Sequence, residues 1–350
     1  MQPIDYNNRV TLLQNELKNR KLDSFLVTNE TNVTYLSGFY GHDSLLLLTK
    51  NRKFFITDSR YIEEAHDTLT GFDIKLVKHS TYKTIEVLIK KNRLKRIGFE
   101  SMNLPYEAVV RLKNLIGPKL VPIKDLIEDL RSVKDDVELR LIKASIRLTK
   151  GVLDRILNFV KPGQSEYFLS RKIECEFIRE NARTAFEPIV ASGKNSSKPH
   201  ARSSYAKISN NSFVMIDIGC NLNGYNSDLT RMIIIGEIKN KFKKMYDTVR
   251  RAQERAINKI RQGVRASDVD CAARNYIQSQ GFGKYFGHSV GHGVGMDVHE
   301  GPSISKMSET ILRIGMIFTV EPAIYIPKFG GVRIEDMVRV TERGCEILTR

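Results

Sequence analysis

Two pairs of acidic residues lie in strand-like segments of this 350-residue chain, and their spacing could bring the carboxylates of each pair together. Asp217 and Asp228 flank Asn223-Gly224, a dipeptide typical of tight hairpin turns. A turn centred between residues 222 and 223 would set the two carboxylates opposite each other, whereas a turn on Asn223-Gly224 would make them diagonal neighbours. Both registers leave the two carboxylates on one face of the hairpin.

Glu321 and Glu335 repeat this arrangement near the C-terminus. Their midpoint is Lys328, which lies inside the loop between two further strand-like segments. A single strand carboxylate is usually an exposed polar residue, but four acids embedded in the apolar strands of two hairpins are harder to explain in that way. Buried carboxylates roughly 5 Å apart repel strongly unless a proton or a cation lies between them. A bound metal is the simplest explanation.

A histidine- and glycine-rich segment separates the two hairpins. It contains His288, His292 and His299, three of the seven histidines in the chain, together with four glycines. Glycine allows the backbone to approach a ligand closely. A lone histidine is more often a structural residue than a ligand, but three together indicate a site. The segment lacks the HExxH spacing of zincins, because no histidine follows His299-Glu300 at the required distance.

Four carboxylates and one imidazole make an oxygen-rich ligand set. Such a set favours manganese, while cobalt, zinc or iron remain possible because hard carboxylates discriminate weakly among these divalent ions. Carboxylates that bridge two ions would hold them roughly 3.5–4 Å apart. This separation suits hydrolysis by a metal-bound hydroxide.

The elements that must position these residues fall into two domains, predicted at residues 1–130 and 131–350. In the first domain, short β-rich segments alternate with helical patterns, which predicts an α/β fold. In the second, long helical patterns are segregated from the strand-like segments, which predicts an α+β fold. Helices are expected at residues 6–18, 61–69, 82–91, 106–116, 136–161, 166–180, 241–261 and 267–280. Strands are expected at residues 24–28, 45–49, 54–57, 74–77, 97–99, 213–220, 228–235, 316–321 and 332–340.

Composition places the protein among ordinary globular proteins of a reducing compartment. The four cysteines are dispersed without a CxxC pair, so neither a zinc knuckle nor a disulfide framework is indicated. The N-terminus lacks the pattern of a signal peptide, and no apolar run approaches the ~20 residues of a membrane span. We therefore expect a cytoplasmic protein without a membrane partner.

The chain carries a net charge of +16, and much of the excess lies in the stretch Lys239–Arg265. Such a stretch could attract nucleic acid or another acidic partner. A solvated helix face explains it more simply. Nucleic acid is therefore not an expected partner, although the sequence does not assign a role to the stretch.

The ordered set of motifs resembles the pita-bread metallopeptidases, a family that includes Xaa-Pro aminopeptidase (aminopeptidase P), Xaa-Pro dipeptidase (prolidase) and methionine aminopeptidase. In the first domain, the segment Leu26–Phe39 resembles the creatinase-like N-terminal domain of the proline-specific members, which minimal methionine aminopeptidases lack. The resemblance implies an α/β creatinase-like domain followed by an α+β pita-bread catalytic domain. The matching segments of the second domain are Pro199–Ala201, Asp217–Gly219, Ser227–Arg231, Gly287–Gly295, Val298–Glu300, Thr319–Pro322 and Gly331–Asp336.

The resemblance implies specific roles for the five candidate ligands. Asp217 would bind one ion through both oxygens, Asp228 and Glu335 would bridge the two ions, and His292 and Glu321 would complete the second ion. Glu321 would also receive the proton of the attacking water as a general base.

The resemblance also implies residues that contact the substrate. His299 would donate a hydrogen bond to the developing negative charge. His200 and His288 would line the pocket for the proline, His288 acting as a catalytic residue as well. Arg333 would orient the network around the substrate, and Tyr225 would flank it. Proline-containing peptides are therefore the expected substrates, and a homodimer is the expected assembly.

Two departures from the family pattern bear on the substrate. Ala323 follows Glu321-Pro322 where many relatives have glycine, which we regard as mild. Ser303 stands where some prolidases carry an arginine that holds the carboxylate of a dipeptide. Its absence favours aminopeptidase P slightly over prolidase, although another basic residue could substitute.

Two alternatives to a dinuclear Xaa-Pro exopeptidase follow from the same resemblance. One is a metal-free pita-bread module that binds a macromolecule, which the positive charge would favour. The other is a metal-free hydrolase similar to creatinase. The complete set of five ligands argues against both, since loss of metal binding would be expected to remove at least one acid.

Overall fold

The computed structural model describes residues 4–117 and 119–350. The chain divides into two compact units, Met1–Arg131 and Ser132–Arg350. The sequence predicted the boundary after residue 130. In the described ranges, no helix combines the length and the apolar character that crossing a membrane requires.

The first unit is built on a mixed six-stranded sheet, which confirms the predicted α/β class. Its helices are α1 (Tyr6–Asn19), α2 (Glu30–Ser37), α3 (Ile62–Thr68), α4 (Thr81–Lys91), α5 (Tyr106–Ile116) and α6 (Leu126–Ser132). Its strands are β1 (Ser24–Val27), β2 (Leu45–Thr49), β3 (Lys53–Thr57), β4 (Asp73–Leu76), β5 (Ile97–Glu100) and β6 (Leu120–Ile123). The strand order is β4-β3-β2-β1-β5-β6, and β2 pairs antiparallel with both of its neighbours.

Helix α2 was missed by the sequence analysis, which found no periodic pattern there. β-branched residues fill much of its interior, and these are weak helix formers. The two ends carry the signal instead. The side chain of Asn29 accepts a hydrogen bond from the backbone of Asn32 at the N-terminus, and Gly38 adopts a left-handed conformation (φ 79°) at the C-terminus.

The second unit combines four helices with several small antiparallel sheets, which confirms the α+β prediction. The helices are α7 (Asp136–Leu157), α8 (Glu166–Arg179), α9 (Asn240–Lys259) and α10 (Ala266–Ser279). The first strands are β7 (Arg183–Thr184), β8 (Ile189–Ser192), β9 (Ser212–Ile218), β10 (Cys220–Leu222), β11 (Tyr225–Asn226) and β12 (Leu229–Ile235). The remaining strands are β13 (Gly291–Gly293), β14 (Glu300–Ile304), β15 (Ile317–Val320), β16 (Ala323–Ile326), β17 (Gly330–Arg333), β18 (Asp336–Val340) and β19 (Cys345–Ile347).

The first acidic hairpin has the Asn223-Gly224 turn. Both turn residues have positive φ angles, as a type I′ turn requires. Thr230 therefore lies opposite Asp217, and Asp228 is its diagonal neighbour, the second of the two registers considered above. The hairpin is interrupted at Gly219, where a Cβ atom would lie 2.0 Å from the carbonyl oxygen of Ser227. The predicted strand 213–220 is therefore two strands, β9 and β10.

The second acidic hairpin is centred on Lys328, as the sequence predicted. Ala323 pairs with Arg333 in the part of the hairpin nearer the turn, and Val320 pairs with Asp336 in the part farther from it. Glu321 and Glu335 thus occupy facing positions between two paired segments. The predicted strand 332–340 is in fact β17 and β18, separated by the two residues that include Glu335.

Helix α7 packs against the first hairpin through polar side chains. The buried residues of the helix include the apolar residues Leu139, Ile142, Ile146, Val152, Leu153 and Ile156. Two hydroxyl groups lie among them: Ser145 donates to the carbonyl of Tyr225 (2.8 Å), and Thr149 hydrogen-bonds Ser227 (2.8 Å). These two contacts join the helix to the first hairpin.

The loop of residues 192–204, here called the 192–204 loop, is held by one buried carboxylate on α8. Glu166 is 0% exposed and accepts hydrogen bonds from both ends of the loop. The backbone and hydroxyl of Ser192 donate to it (2.6 and 2.9 Å), as do those of Ser204 (3.1 and 2.7 Å). The amide of Asn195 donates a fifth hydrogen bond (2.8 Å). The path of the loop is therefore fixed by α8.

We expect Glu166→Gln to lower the free energy of unfolding by about 1–3 kcal/mol, because the amide nitrogen would face N–H donors and leave at least one of them unsatisfied. Urea denaturation measures the loss. Hydrogen exchange should accelerate at Ser192 and Ser204. The matched control is Glu180→Gln at the exposed end of α8, expected within about 0.5 kcal/mol of the wild type. Equal effects of the two substitutions would contradict this role.

Candidate metal centre

Three of the predicted ligands converge directly in the second unit. Ligand atoms of Asp228, His292 and Glu335 all lie within 4.8 Å of one another. Glu321 joins them, since its Oε1 atom lies 3.3 Å from Nε2 of His292. Asp217 is buried in β9 on the same face as Asp228. Five donors from two hairpins and the histidine segment thus meet in one place.

Gaps between strands place three of the four acidic donors, whereas Asp217 lies within β9. Asp228 lies between β11 and β12, Glu321 between β15 and β16, and Glu335 between β17 and β18. At two of these gaps a backbone amide forms a hydrogen bond outside its own hairpin. The amide of Glu321 donates to the carbonyl of Val290 (2.7 Å), and that of Glu335 donates to the carbonyl of Thr230 (3.3 Å). These contacts tie the two hairpins and the histidine segment together around the site.

Two threonines orient the glutamates, and the sequence analysis missed both. The hydroxyl of Thr230 donates to Oε2 of Glu335 (2.6 Å), and that of Thr319 donates to Oε1 of Glu321 (3.2 Å). Each threonine lies two residues from a ligand, Thr230 after Asp228 and Thr319 before Glu321. Residues at that spacing share a strand face. The alternation rule therefore carried a signal that could have found them.

Crowding of the acids disfavours their charged forms. Burial raises the pKa of Asp228 well above its ordinary value, and the nearby carboxylates of Glu335 and Asp217 raise it further. Burial likewise raises the pKa of Glu335, with Glu321 and Asp217 adding to the effect. Carboxylates in such an environment bind a proton or a cation in place of the water they have lost.

Glu321 and His292 stabilise each other's charged forms. Burial alone would raise the pKa of Glu321, but the hydrogen bond and charge of His292 outweigh it, and the pKa is lowered. Burial would lower the pKa of His292, and the same contact with Glu321 raises it instead. A cation at this point would replace the imidazolium as the partner of the carboxylate.

Arg333 is buried beside the donors and is fully engaged. Its guanidinium donates to the carboxylate of Asp217, to the hydroxyls of Thr230 (3.1 Å) and Tyr325 (2.6 Å), and to the carbonyl of Pro199 (3.0 Å). Only 4% of the residue is exposed. Arg333 therefore links Asp217 to Thr230, Tyr325 and the backbone of Pro199, and it also lines the cleft described below.

The donor set fits divalent metal ions. Asp217 has one oxygen on Arg333, while its other oxygen, Oδ1, is buried without a hydrogen-bond partner among the described residues. A buried carboxylate oxygen without a donor is unfavourable, and a cation would satisfy it. Four carboxylates with one imidazole suit manganese, iron, cobalt or zinc.

A cleft with a volume of about 460 Å³ opens onto all five donors. The three histidines predicted to contact substrate, His200, His288 and His299, line it together with the donors. The ring of His299 lies 4.2 Å from that of His292, centre to centre. His200 and His299 are exposed, so both rings remain accessible from the cleft.

Helix α10 holds the backbone at His288. Arg274 donates to the carbonyls of Phe286 (3.1 Å) and His288 (2.7 Å), and Asp270 accepts the amide of Val290 (3.1 Å). Burial lowers the pKa of His288, whose Nε2 atom has no hydrogen-bond partner among the described residues. A neutral, half-buried imidazole suits contact with an apolar ring.

The structure does not bring Tyr225 to the cleft. It is 1% exposed, and its hydroxyl donates to Glu138 of α7 (3.0 Å), so it packs under the first hairpin. Residues that the sequence analysis did not consider line the cleft in its place: Phe186, Glu187, Pro188, Ile189 and Arg202. They carry no motif, and only Arg202, two residues after His200, adjoins a predicted site residue.

Two family models match the chain. Residues 140–342 match metallopeptidase family M24, and residues 9–133 match the creatinase/prolidase N-terminal domain. The first match covers more than half of the chain and includes all five donors. Both confirm the resemblance found in the sequence motifs.

Similar proteins cover nearly the whole chain. The Xaa-Pro dipeptidase of Pyrococcus horikoshii is 33% identical over 98% of this chain and 97% of its own length. A solved Xaa-Pro dipeptidase from Bacillus anthracis is 36% identical with a TM-score of 0.94, covering 99% of this chain and 98% of that one. An X-Pro aminopeptidase structure from Thermotoga maritima is 34% identical with a TM-score of 0.85, covering 94% and 96%. The chain belongs to the M24 metallopeptidases and has their catalytic domain together with the creatinase-type N-terminal domain.

Proposed function

We propose that this metallopeptidase is a dinuclear exopeptidase that hydrolyses the bond between an N-terminal residue and a following proline. The observation that carries the proposal is the convergence of buried donors, with ligand atoms of Asp228, His292 and Glu335 within 4.8 Å of one another. Glu321 beside His292 and the unpartnered oxygen of Asp217 extend this set to five. Five donors with four carboxylates suit two ions better than one.

Two divalent ions, manganese by preference, would supply a Lewis acid for the scissile carbonyl and lower the pKa of a water molecule. Asp217, Asp228, His292, Glu321 and Glu335 would hold them. Glu321 would accept the proton of the attacking water. Thr319 and Thr230 would keep the carboxylates of Glu321 and Glu335 in place through the hydrogen bonds described above.

His299 would stabilise negative charge that develops on the substrate. It lines the cleft, and its ring lies beside that of His292. Burial and the neighbouring His292 lower the pKa of His299. A neutral imidazole can still donate one N–H hydrogen bond to the oxyanion.

Specificity for proline follows from the lack of an N–H group in the Xaa-Pro bond. A site that grips the peptide N–H loses that contact with proline, whereas a site that packs rings around the pyrrolidine does not. His200 and His288 line the cleft and supply such rings. Similar proteins carry the names Xaa-Pro dipeptidase and X-Pro aminopeptidase, which supports the same substrate class.

Position 303 bears on the length of the substrate. The serine at position 303 favours longer peptides slightly, because it offers no charge to a dipeptide carboxylate. The metal-free binding module has no such structural support, because its surface would not require buried acids to converge.

The first test is hydrolysis of Ala-Pro and Ala-Pro-Ala with added Mn²⁺, measured by release of alanine. We expect cleavage before proline in both peptides, loss of activity with a chelator, and recovery on return of the metal. Ala-Ala and Ala-Ala-Ala serve as matched controls. Equally fast cleavage of these controls would contradict specificity for proline.

A second test separates metal binding from folding. In chelated protein, we expect Asp228→Asn to raise the free energy of unfolding by about 0.5–2 kcal/mol, since it removes one of several crowded buried charges. Added Mn²⁺ should raise the melting temperature of the wild type but scarcely that of the variant. Peptide hydrolysis should be lost.

The matched control for this substitution is Asp247→Asn on α9, whose side chain is 60% exposed. It should change neither the stability in chelator nor the response to Mn²⁺. If Asp228→Asn kept the full thermal response to the metal, the assignment of Asp228 as a bridging ligand would be wrong.

A third test concerns His299. We expect His299→Ala to lower kcat by roughly 10²–10³-fold, the loss typical of one donor to an oxyanion. KM and the thermal shift caused by Mn²⁺ should change little. His66→Ala, at an exposed position of α3, is the control. A variant with unchanged kcat would exclude the proposed role of His299.

A further inference from the structure

Arg202 is a charged residue of the cleft that no motif explains. It follows His200 by two residues in the 192–204 loop, and both residues line the cleft. Its side chain is exposed and forms no ion pair with any described residue. The backbone beneath it is nevertheless fixed, because its carbonyl accepts a hydrogen bond from Asn195 (3.3 Å) and the hydroxyl of Ser203 accepts one from Val190 (3.0 Å).

Other charged residues of the cleft are already engaged. Arg333, the second arginine of the lining, is buried and donates to four partners. Glu187, also in the lining, lies 3.3 Å from Arg171 rather than at Arg202. Arg202 therefore offers an unused, permanently positive guanidinium beside one of the histidines proposed to contact proline.

The charge of a short substrate requires such a group. An Xaa-Pro dipeptide carries its free carboxylate on the proline itself, a few ångströms from the scissile bond. The four carboxylates of the centre and Arg333 are committed to the metal ions and to each other, so a substrate carboxylate taken from water into the cleft needs a cationic hydrogen-bond donor of its own. Ser303 lines no part of the cleft and carries no charge.

The size of the cleft agrees with a short substrate. A volume of about 460 Å³ lies in the lower part of the range for small-molecule sites, roughly 300–1,000 Å³. A fully extended dipeptide spans only ~7 Å. A guanidinium at the rim can then reach the end of the substrate with its two parallel N–H groups.

We propose that Arg202 binds the C-terminal carboxylate of Xaa-Pro dipeptides and makes them the preferred substrates. This inference rests on the proposed Xaa-Pro exopeptidase activity. It replaces the slight preference for longer peptides that Ser303 alone suggested. The cation that the sequence pattern lacks at position 303 is supplied by a residue on the opposite side of the histidine segment in the chain.

The test compares Ala-Pro with its amide, Ala-Pro-NH₂, which keeps the carbonyl but loses the charge, and with Ala-Pro-Ala. For the manganese-loaded wild type we expect KM for Ala-Pro to be roughly 10- to 100-fold lower than for the amide. Arg202→Gln should remove this difference by raising KM for Ala-Pro alone, with kcat nearly unchanged. Arg202→Lys should restore part of it, because lysine keeps the charge but not the forked geometry.

The matched control is Arg179→Gln, an exposed arginine on α8 that does not line the cleft. It should preserve the wild-type preference for Ala-Pro. The proposal is overturned if Arg202→Gln raises KM for Ala-Pro and its amide by the same factor. It is also overturned if the wild type does not distinguish the two.

A binding measurement separates this proposal from the activity on which it rests. Calorimetry compares proline with prolinamide, and needs no turnover. Tighter binding of proline to the wild type, lost in Arg202→Gln, supports carboxylate recognition even if no Xaa-Pro peptide is cleaved, in which case the proposed activity alone fails. Equal binding of proline and prolinamide to the wild type overturns the role of Arg202.

Discussion

Repulsion among buried carboxylates is the constraint on which the catalytic unit depends. Burial and the charges of neighbouring acids raise the pKa values of Asp217, Asp228 and Glu335, while the contact with His292 lowers that of Glu321. One buried arginine and one imidazole offset only part of this charge. Divalent cations complete the balance, so the same crowding that destabilises the metal-free site creates its affinity for metal.

Side chains that hydrogen-bond to the backbone around the site hold it in place against this repulsion. Glu166 on α8 fixes the 192–204 loop, and Asp270 with Arg274 on α10 fixes the backbone around His288. Glu166 and Asp270 are both fully buried, and both accept hydrogen bonds from backbone amides. Satisfied buried hydrogen bonds of this kind make the backbone rigid. His200 and His288, two of the histidines proposed to contact substrate, thus lie on backbone segments that a helix anchors. The geometry of the cleft is thus set before metal or substrate binds.

The sequence predicted what depends on local pattern and on spacing across a turn. The Asn223-Gly224 turn and the midpoint at Lys328 set the registers of both hairpins, and most helices lie within a few residues of their predicted bounds. It failed where strands break, because β-propensity continues through Gly219 and Glu335 while the backbone does not. Three of the five donors, Asp228, Glu321 and Glu335, lie at gaps between strands.

Arg202, as proposed, illustrates that a residue outside every sequence motif can take part in substrate binding. A motif marks residues that share a role, such as the five donors proposed to bind metal together. Recognition of a carboxylate needs only one cation within reach, and different positions in the chain can supply it. Loss of an arginine at position 303 therefore predicts nothing about charge in the cleft until the lining is known. Such a site must balance the charge of the bound substrate. The balancing residue can come from any position of the chain that reaches the substrate.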